Sequence, residues 1–379
     1  MRIALVAAGG FDRSGREKVI PALLWLVERL SRRHAVHVFT LRHYDEPCSY
    51  ALAGATVHDL GRTEAPAGVG AAIRLRRLVR AMRRVGPFDV VHAYWAVPAG
   101  VAAGAAGRWL DIPVVVTFDS GEFVALPECE YGLQRHLRSR LAVRLASGLA
   151  TRVHVCSRHM QRLAAAAGIG VDRASLGVDT GLFRRPARPP AGPPWRIVHI
   201  ASLNRIKDQT TLLDAMARVV GRIPDVTLDV VGEDRLGGAL QARSAALGLE
   251  RHVTFHGFQP SECVAAFCQA AHLHVLSSRH EAAGVAVLEA AACGVPTVGT
   301  DTGYVADWSP DAAWSVPPGD ADSLADAIGL LLLDRERREA MGRHAERRAR
   351  TYDADWSAGA LEQVYYAVSR RRLTSSRCL

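Results

Sequence analysis

Two carboxylates eight positions apart, Glu281 and Glu289, bracket a glycine in the segment Ser278-Arg279-His280-Glu281-Ala282-Ala283-Gly284-Val285-Ala286-Val287-Leu288-Glu289-Ala290. If the apolar run from residue 284 is a helix, the backbone N–H groups near Gly284 and Val285 have no intrahelical acceptor and form an anion site. Glu281 then lies in the loop ahead of that end, and Glu289 about one turn inside. Eight residues at a 1.5 Å rise span roughly 12 Å, more where the loop is extended. That is the spread from a hexose, across a diphosphate, to a ribose. Ionised carboxylates suit both ends, because sugar hydroxyls are donors and a carboxylate accepts several of them. The competing reading is an amphipathic helix with a solvated glutamate.

The surroundings weigh toward chemistry. The run Ala271-His272-Leu273-His274-Val275-Leu276 reads as a strand and stops at Ser277-Ser278, directly before the motif. Gly294-Val295-Pro296-Thr297-Val298-Gly299 begins another strand, which ends at Thr300-Asp301-Thr302-Gly303. Open α/β sheets bind ligands at such carboxyl ends. A third strand leads into Ala201-Ser202-Leu203-Asn204-Arg205-Ile206-Lys207-Asp208. Of 47 cations only Lys18 and Lys207 are lysines. A lysine in so arginine-rich a chain marks a place for a compact point charge.

The Glu-x-x-Gly loop, the second Glu eight positions on and the following Cys293-Gly294-Val295-Pro296 resemble the donor-binding half of retaining glycosyltransferases of family 4, which have the GT-B fold. The resemblance covers nearly the whole chain and is strongest over 196–330. It implies an α/β protein of two Rossmann-like domains with parallel sheets facing across a cleft, and a C-terminal helix crossing back to the first domain. It implies catalytic roles for Glu281, Lys207 and Asp119. For the donor it implies Glu289 at the ribose, with Arg205, Ala283, Gly284, Val285, Gly232, Phe258 and Thr302 around the nucleotide sugar. Two departures stand out: Ser202 occupies the place of the family's arginine, five residues before Lys207, and Asp119 that of its histidine. Arg205 is the nearby substitute for the first. Gly10, Gly15, Glu122 and Trp95 fall on the acceptor side.

The elements alternate throughout, as parallel sheets with crossover helices require. Strands are expected near 2–8, 35–40, 54–59, 88–93, 113–118 and 151–156, with helices near 16–33, 70–85, 97–109, 131–147 and 157–167. Five prolines within 184–194 mark a linker. Strands follow near 196–201, 226–231, 252–256, 271–276 and 295–299. Helices follow near 208–222, 236–247, 260–270, 284–293, 321–333, 335–350 and 355–369. Two domains joined by a linker over 186–194 are therefore expected, and the resemblance implies that 1–185 is the acceptor-side domain, 195–352 the donor domain and 353–370 the returning helix. Lys18 falls in the first turn of the expected helix 16–33, where it reads as a solvated charge.

With 49% hydrophobic and 22% charged residues, the chain of 379 residues has the composition of a soluble globular protein. No apolar run reaches the ~20 residues of a spanning helix. The first ten residues read as a strand rather than a signal peptide, so a cytoplasmic location is expected, peripheral on the inner membrane face. Seven cysteines at irregular spacing read as reduced, mostly buried thiols, with Cys378 the exception. Residues 1–190 carry 27 Lys and Arg against 15 Asp and Glu, whereas 191–379 carry 20 against 23. The basic half, with arginine clusters at 74–84 and 135–144, suits an anionic membrane surface held without a hydrophobic anchor. No nucleic-acid motif accompanies it. Asp320-Ala321-Asp322 and Asp353-Ala354-Asp355 look like metal-binding Asp-x-Asp pairs, but each precedes a helix and reads as a cap. No metal and no cofactor is expected. The reading is a metal-independent, retaining transfer from a UDP- or GDP-type sugar to a lipid-linked, polysaccharide or small-molecule acceptor. The alternatives are a nucleotide-sugar epimerase of the same fold and a non-catalytic nucleotide-sugar or lipid-phosphate binding protein.

Overall fold

The computed structural model of the protein describes residues 1–375. Cys378 lies outside the described residues. The chain divides into two units, one formed by Met1–Leu176 and the chain from Ala354 onward, the other by Gly177–Asp353. The division falls ahead of the proline-rich stretch 186–194 and of the expected boundary at 185. Residues 177–185 go with the second unit because Phe183 is buried, Val178 bridges Asp353, and Arg185 reaches Glu346 at 3.4 Å.

In the first unit the strands are β1 (Arg2–Ala7), β2 (Ala35–Thr40), β3 (Cys48–Leu52), β4 (Ala55–Asp59), β5 (Val90–Tyr94), β6 (Val114–Phe118), β7 (Arg152–Val155) and β8 (Asp172–Arg173). They form one sheet in the order β3-β4-β2-β1-β5-β6-β7-β8, parallel except for β3 against β4. The central strands β5 and β6 are buried at every residue, which is why they read as continuous apolar runs. The helices are α1 (Pro21–Ser31), α2 (Ala67–Val85), α3 (Val101–Leu110), α4 (Leu137–Leu149) and α5 (Arg158–Ala166).

Helix α1 starts five residues later than expected. Phe11 bridges Val19 and the Ile20 N–H donates to the Gly10 carbonyl at 3.0 Å, so 11–19 is a closed loop and Pro21 opens the helix. Lys18 is therefore in that loop, at φ 51°, and not in a helical turn. Likewise 131–136 is loop with one 3₁₀ turn, and α4 begins only at Leu137. The last helix, Ala354–Ser375, packs on α1. Its Tyr365 is fully buried with the hydroxyl 2.7 Å from His92 Nδ1, while His92 Nε2 lies 2.8 Å from Thr117 Oγ1. Burial first, then His154, hold His92 down at about 3, so it is neutral.

In the second unit β9 (Trp195–Ile200), β10 (Val226–Val231), β11 (Val253–Gly257), β12 (Leu273–Leu276), β13 (Thr297–Thr300) and β14 (Ala313–Val316) form an all-parallel sheet. Its order is β11-β10-β9-β12-β13-β14. The helices are α6 (Gln209–Arg222), α7 (Ala239–Ala246), α8 (Ser261–Ala270), α9 (Val285–Ala292), α10 (Gly303–Trp308), α11 (Ala321–Leu333) and α12 (Arg335–Thr351); the last helix of the chain is α13. Leu212, Met216, Leu228, Val275, Val298, Ile328 and Leu331 belong to one apolar core beneath these helices. Strand order reverses between β9 and β12, and that switch point is where an open parallel sheet leaves a crevice at its carboxyl edge.

Candidate functional site

The site residues of the second unit come from five strand ends, and the two that matter most straddle the switch point. Lys207 follows β9 and Glu281 follows β12; Lys207 Nζ is 2.5 Å from Glu281 Oε1. Ser278 Oγ donates to the same oxygen at 2.6 Å. Glu281 Oε2 accepts no hydrogen bond among the described residues, so one carboxylate oxygen is held and the other is available. Burial alone would raise the Glu281 carboxyl. The Lys207 charge and hydrogen bond, with Ser278 and His280, outweigh it and place the group below its ordinary value. It is a fixed carboxylate with one open oxygen, beside an ammonium with donors to spare.

The two loops are stitched together by contacts far apart in sequence. The Arg279 N–H donates to the Ile206 carbonyl at 2.8 Å, and Ser277 Oγ to the Lys207 carbonyl at 2.8 Å. Arg279 Nε reaches Asp208 Oδ2 at 2.5 Å. Asp208 also caps α6, accepting from the Thr211 N–H at 3.3 Å and from Thr211 Oγ1 at 2.8 Å. Asn204 Oδ1 takes the Lys207 N–H at 3.2 Å. The Lys207 side chain thus stands on a 3₁₀ turn pinned at both ends. None of Asn204, Asp208, Ser277 or Arg279 was singled out as a site residue in the sequence. Asp208 ahead of a helix and the serine pair at a strand end are the only local signals.

Gly284 takes φ 81° and opens α9 as expected; the Val287 N–H donates to the Gly284 carbonyl at 2.9 Å, and the Val285 and Ala286 N–H groups are left without intrahelical acceptors. Ala283 is buried, and its carbonyl accepts the Tyr304 N–H at 2.7 Å, which ties the start of α9 to α10. A side chain on Gly303 would come within 2.4 Å of that carbonyl, so the two loops meet backbone to backbone. Thr302 is buried just ahead of α10, its Oγ1 3.4 Å from Thr300 Oγ1.

Glu289 is buried in α9, and its side-chain carboxylate accepts no hydrogen bond among the described residues. Burial alone pushes its carboxyl up to about 7. The carboxyl lies about one turn inside α9 from the helix end at Gly284. Gly232 ends β10 at φ 154°, and a Cβ there would be 2.0 Å from the Ala201 carbonyl, so only glycine lets the loops after β9 and β10 approach. Phe258, past β11, is 47% exposed and so is not a core residue. Arg205 is exposed on the 3₁₀ turn beside Lys207.

The acceptor-side candidates lie in the first unit at the ends of β1, β5 and β6. Gly10 at φ 89° and Gly15 at φ 66° shape the closed loop after β1. Within it Asp12 accepts from Tyr44 Oη at 2.8 Å and from the Ser14 N–H at 2.9 Å. Trp95 leaves β5 at φ 68°, a backbone state uncommon for an aromatic residue, and is half-buried. Asp119 ends β6, half-buried beside Cys156. Glu122 differs from the expected open acceptor contact. It is 1% exposed, and its two oxygens take the Ala96 N–H at 3.2 Å and the Ser120 N–H at 2.8 Å. Burial, against those backbone bonds, raises it to about 7. Its place is that of a brace between the loops carrying Trp95 and Asp119.

Asp320 caps α11, accepting from the Ser323 N–H at 3.0 Å and Ser323 Oγ at 2.6 Å, while Asp322 pairs with Arg218 at 2.5 Å. Asp355 opens α13 and lies 3.8 Å from Arg29. Of the thiols, Cys156, Cys268 and Cys293 are buried, Cys48 and Cys129 partly so, and Cys263 is exposed, so burial is less general than expected.

The sequence matches two family models end to end: the glycosyl transferase 4-like domain over residues 19–178 and the glycosyl transferases group 1 over residues 183–348. The chain belongs to glycosyltransferase family 4. A D-inositol 3-phosphate glycosyltransferase from Corynebacterium jeikeium is 35% identical over 210 residues, 52% of this chain and 50% of that protein. A GDP-mannose-dependent alpha-(1-6)-phosphatidylinositol monomannoside mannosyltransferase from Mycolicibacterium smegmatis is 28% identical over 69% of this chain and 72% of that protein. The chain spans half or less of the length of the Corynebacterium jeikeium and Corynebacterium urealyticum inositol-phosphate enzymes it matches, at 50% and 41%. Sucrose-phosphate synthase from Thermosynechococcus elongatus has a similar structure, with a TM-score of 0.79 at 20% identity over 99% of this chain and all of that one. Anabaena HepE, solved with UDP and glucose, gives 0.75 at 19% identity over 97% of this chain. The fold is GT-B, with a Rossmann-like domain in each unit. Among the described residues no helix is long and apolar enough to cross a membrane.

Proposed function

We propose that this protein transfers a sugar from a nucleotide-diphosphate donor to a hydroxyl acceptor, with retention and without a metal. The observation that carries the reading is the Lys207–Glu281 pair across the switch point, with the unpartnered Glu289 on the following helix. Lys207 and the N–H groups at the start of α9 oppose the charge that grows on the departing diphosphate. Glu281, held through Oε1, offers Oε2 to a hydroxyl of the transferring sugar. Glu289 takes the ribose. With Ser202 in place of an arginine, the fixed positive charge at the diphosphate rests on Lys207, aided by Arg205. Among acceptors, a polyol phosphate or an inositol phospholipid headgroup is favoured, since relatives named for both match this chain.

A panel of UDP- and GDP-sugars incubated with inositol phosphate and phosphatidylinositol acceptors tests the reading. New glycoside of unchanged anomeric configuration, formed in the presence of EDTA and lost in Glu281→Ala, is the expected result. Donor interconversion with no acceptor would make the protein an epimerase. A nucleotide-dependent rise in melting temperature with no turnover on any donor would make it a binding protein. Loss of transfer on chelation, restored by magnesium, would end the metal-free mechanism.

A further inference from the structure

Helices α2, α3 and α4 pack in sequence against one another on the first unit. Together they carry ten arginines and no acidic residue. Asp111 follows the last residue of α3, and Glu128 and Glu130 lie in and just after the 3₁₀ turn Pro127–Cys129, outside the three helices. Arg76, Arg80, Arg84, Arg138 and Arg144 pair with no carboxylate among the described residues. An ordinary solvated helix face carries both signs, so this layer presents a single-sign field.

The same layer exposes apolar side chains that a charged surface alone does not account for. Leu137, Leu141 and Leu145 recur every fourth residue along α4 and are 69%, 55% and 51% exposed. Val143 and Ala146 fill the buried face of that helix. At 100° per residue Arg138 flanks the leucine stripe on one side and Arg144 on the other. On α3, Trp109 is 64% exposed, with the Arg83 guanidinium of α2 5.9 Å from its ring centre.

We infer that the α2–α3–α4 layer docks on an anionic lipid surface, with the arginines at the headgroups and the leucine stripe and Trp109 entering the interface. The apolar stripe within a cationic frame selects lipid over other polyanions. A nucleic-acid backbone would satisfy the arginines and leave the leucines in water, whereas a bilayer interface satisfies both. This differs from the purely electrostatic attachment expected from the charge clusters, because the stripe supplies an anchor. The proposal does not rest on the transfer reaction.

Co-sedimentation of the full chain with phosphatidylcholine vesicles, and with vesicles containing phosphatidylglycerol, tests it at low and at 1 M salt. At low salt the anionic vesicles should bind far more protein than the neutral ones, which should hold only the small fraction that the apolar stripe supports alone. Each engaged arginine contributes about fivefold. At 1 M salt the screening length falls to roughly 3 Å, the arginine share is lost and a residual bound fraction persists. The double variant Leu141→Gln, Leu145→Gln should lose that residual fraction and bind roughly tenfold more weakly at low salt. The matched pair Leu330→Gln, Leu333→Gln, at exposed leucines on α11, should bind as the unmodified protein does. All variants should melt together, since every altered side chain is exposed. Unchanged binding of the α4 variant, equal binding to neutral vesicles, or binding of duplex DNA in place of vesicles would each overturn the proposal.

Discussion

Burial without a donor holds Glu289 at about 7, and that one property makes two measurable statements. The folded pKa lies above the unfolded value, so between about pH 4.5 and 7 the unfolded chain releases a proton that the folded chain keeps. Stability therefore falls as pH rises through that window, and Glu122, also raised to about 7, adds in the same direction. Glu289→Gln should recover about 1–3 kcal/mol at pH 8 and nothing at pH 4, read from urea melts at both. Donor binding should move oppositely. The ionised carboxylate is the better acceptor for ribose hydroxyls, so nucleotide affinity should rise from pH 6 to 8, and a flat profile in Glu289→Gln would tie that rise to this group. The Lys207–Glu281 pair separates folding from catalysis. Lys207→Ala leaves a buried carboxylate uncompensated and should cost about 3 kcal/mol of stability as well as roughly 10²–10³-fold in transfer. Lys207→Met with Glu281→Gln should regain most of the stability and none of the transfer. A double variant as inactive but no more stable than the single would show that the pair is not what holds the two loops.

At the scale of elements, the loops rather than the helices decide whether the site exists. Gly232→Ala tests this, since its Cβ would fall on the Ala201 carbonyl and drive the loop carrying Lys207 away. Nucleotide binding should fall by at least tenfold while the far-ultraviolet circular dichroism keeps its helical shape; unaltered binding would show that the two loops can part without consequence. Much of this scale was legible beforehand. Strands buried on both faces, such as β5 and β6, announce themselves as continuous apolar runs, and α9 through its glycine cap. Glu281 and Glu289 were readable because their spacing is local. Strand β3 was not, because it is a half-exposed antiparallel edge strand directly after Pro47, with neither a clean alternation nor an apolar run. Strand β14 is a sheet edge whose two middle residues, Trp314 and Ser315, are only partly buried, so it shows no apolar run, and helix α10 at six residues is too short for helical periodicity to register. The Arg279–Asp208 contact joins residues 71 positions apart, and nothing local to either residue points to the other. Glu122 misled for the same reason: a carboxylate at a strand end looks available until the backbone donors that consume it are placed.

On the scale of the molecule, the two units have separate cores, and every donor-side residue lies in the second. A nucleotide diphosphate should therefore stabilise one unfolding transition and leave the other. At a hundred times its dissociation constant it adds about 2.7 kcal/mol to whatever it binds. Calorimetry with and without UDP or GDP should show the second unit's transition alone moving upward. A uniform shift of the whole profile would mean that the units unfold together, and an unmoved profile with both nucleotides would remove the donor site from this unit.

The first unit leaves the chain at Leu176 and resumes only at Ala354, where α13 brings Tyr365 to His92. A ribosome makes these parts in order. While the second unit is being synthesised, the first has its sheet but not the helix that covers it, and α1 and the His92 side chain wait with an uncovered flank. The second unit, continuous in sequence, can reach its final form first even though its residues are made later. Order of emergence and order of completion are thus inverted in this chain. A premature stop between residues 354 and 365 would leave the second unit whole and take from the first the segment that brings Tyr365 to His92, so a fault written late in the message would be felt in the part made first.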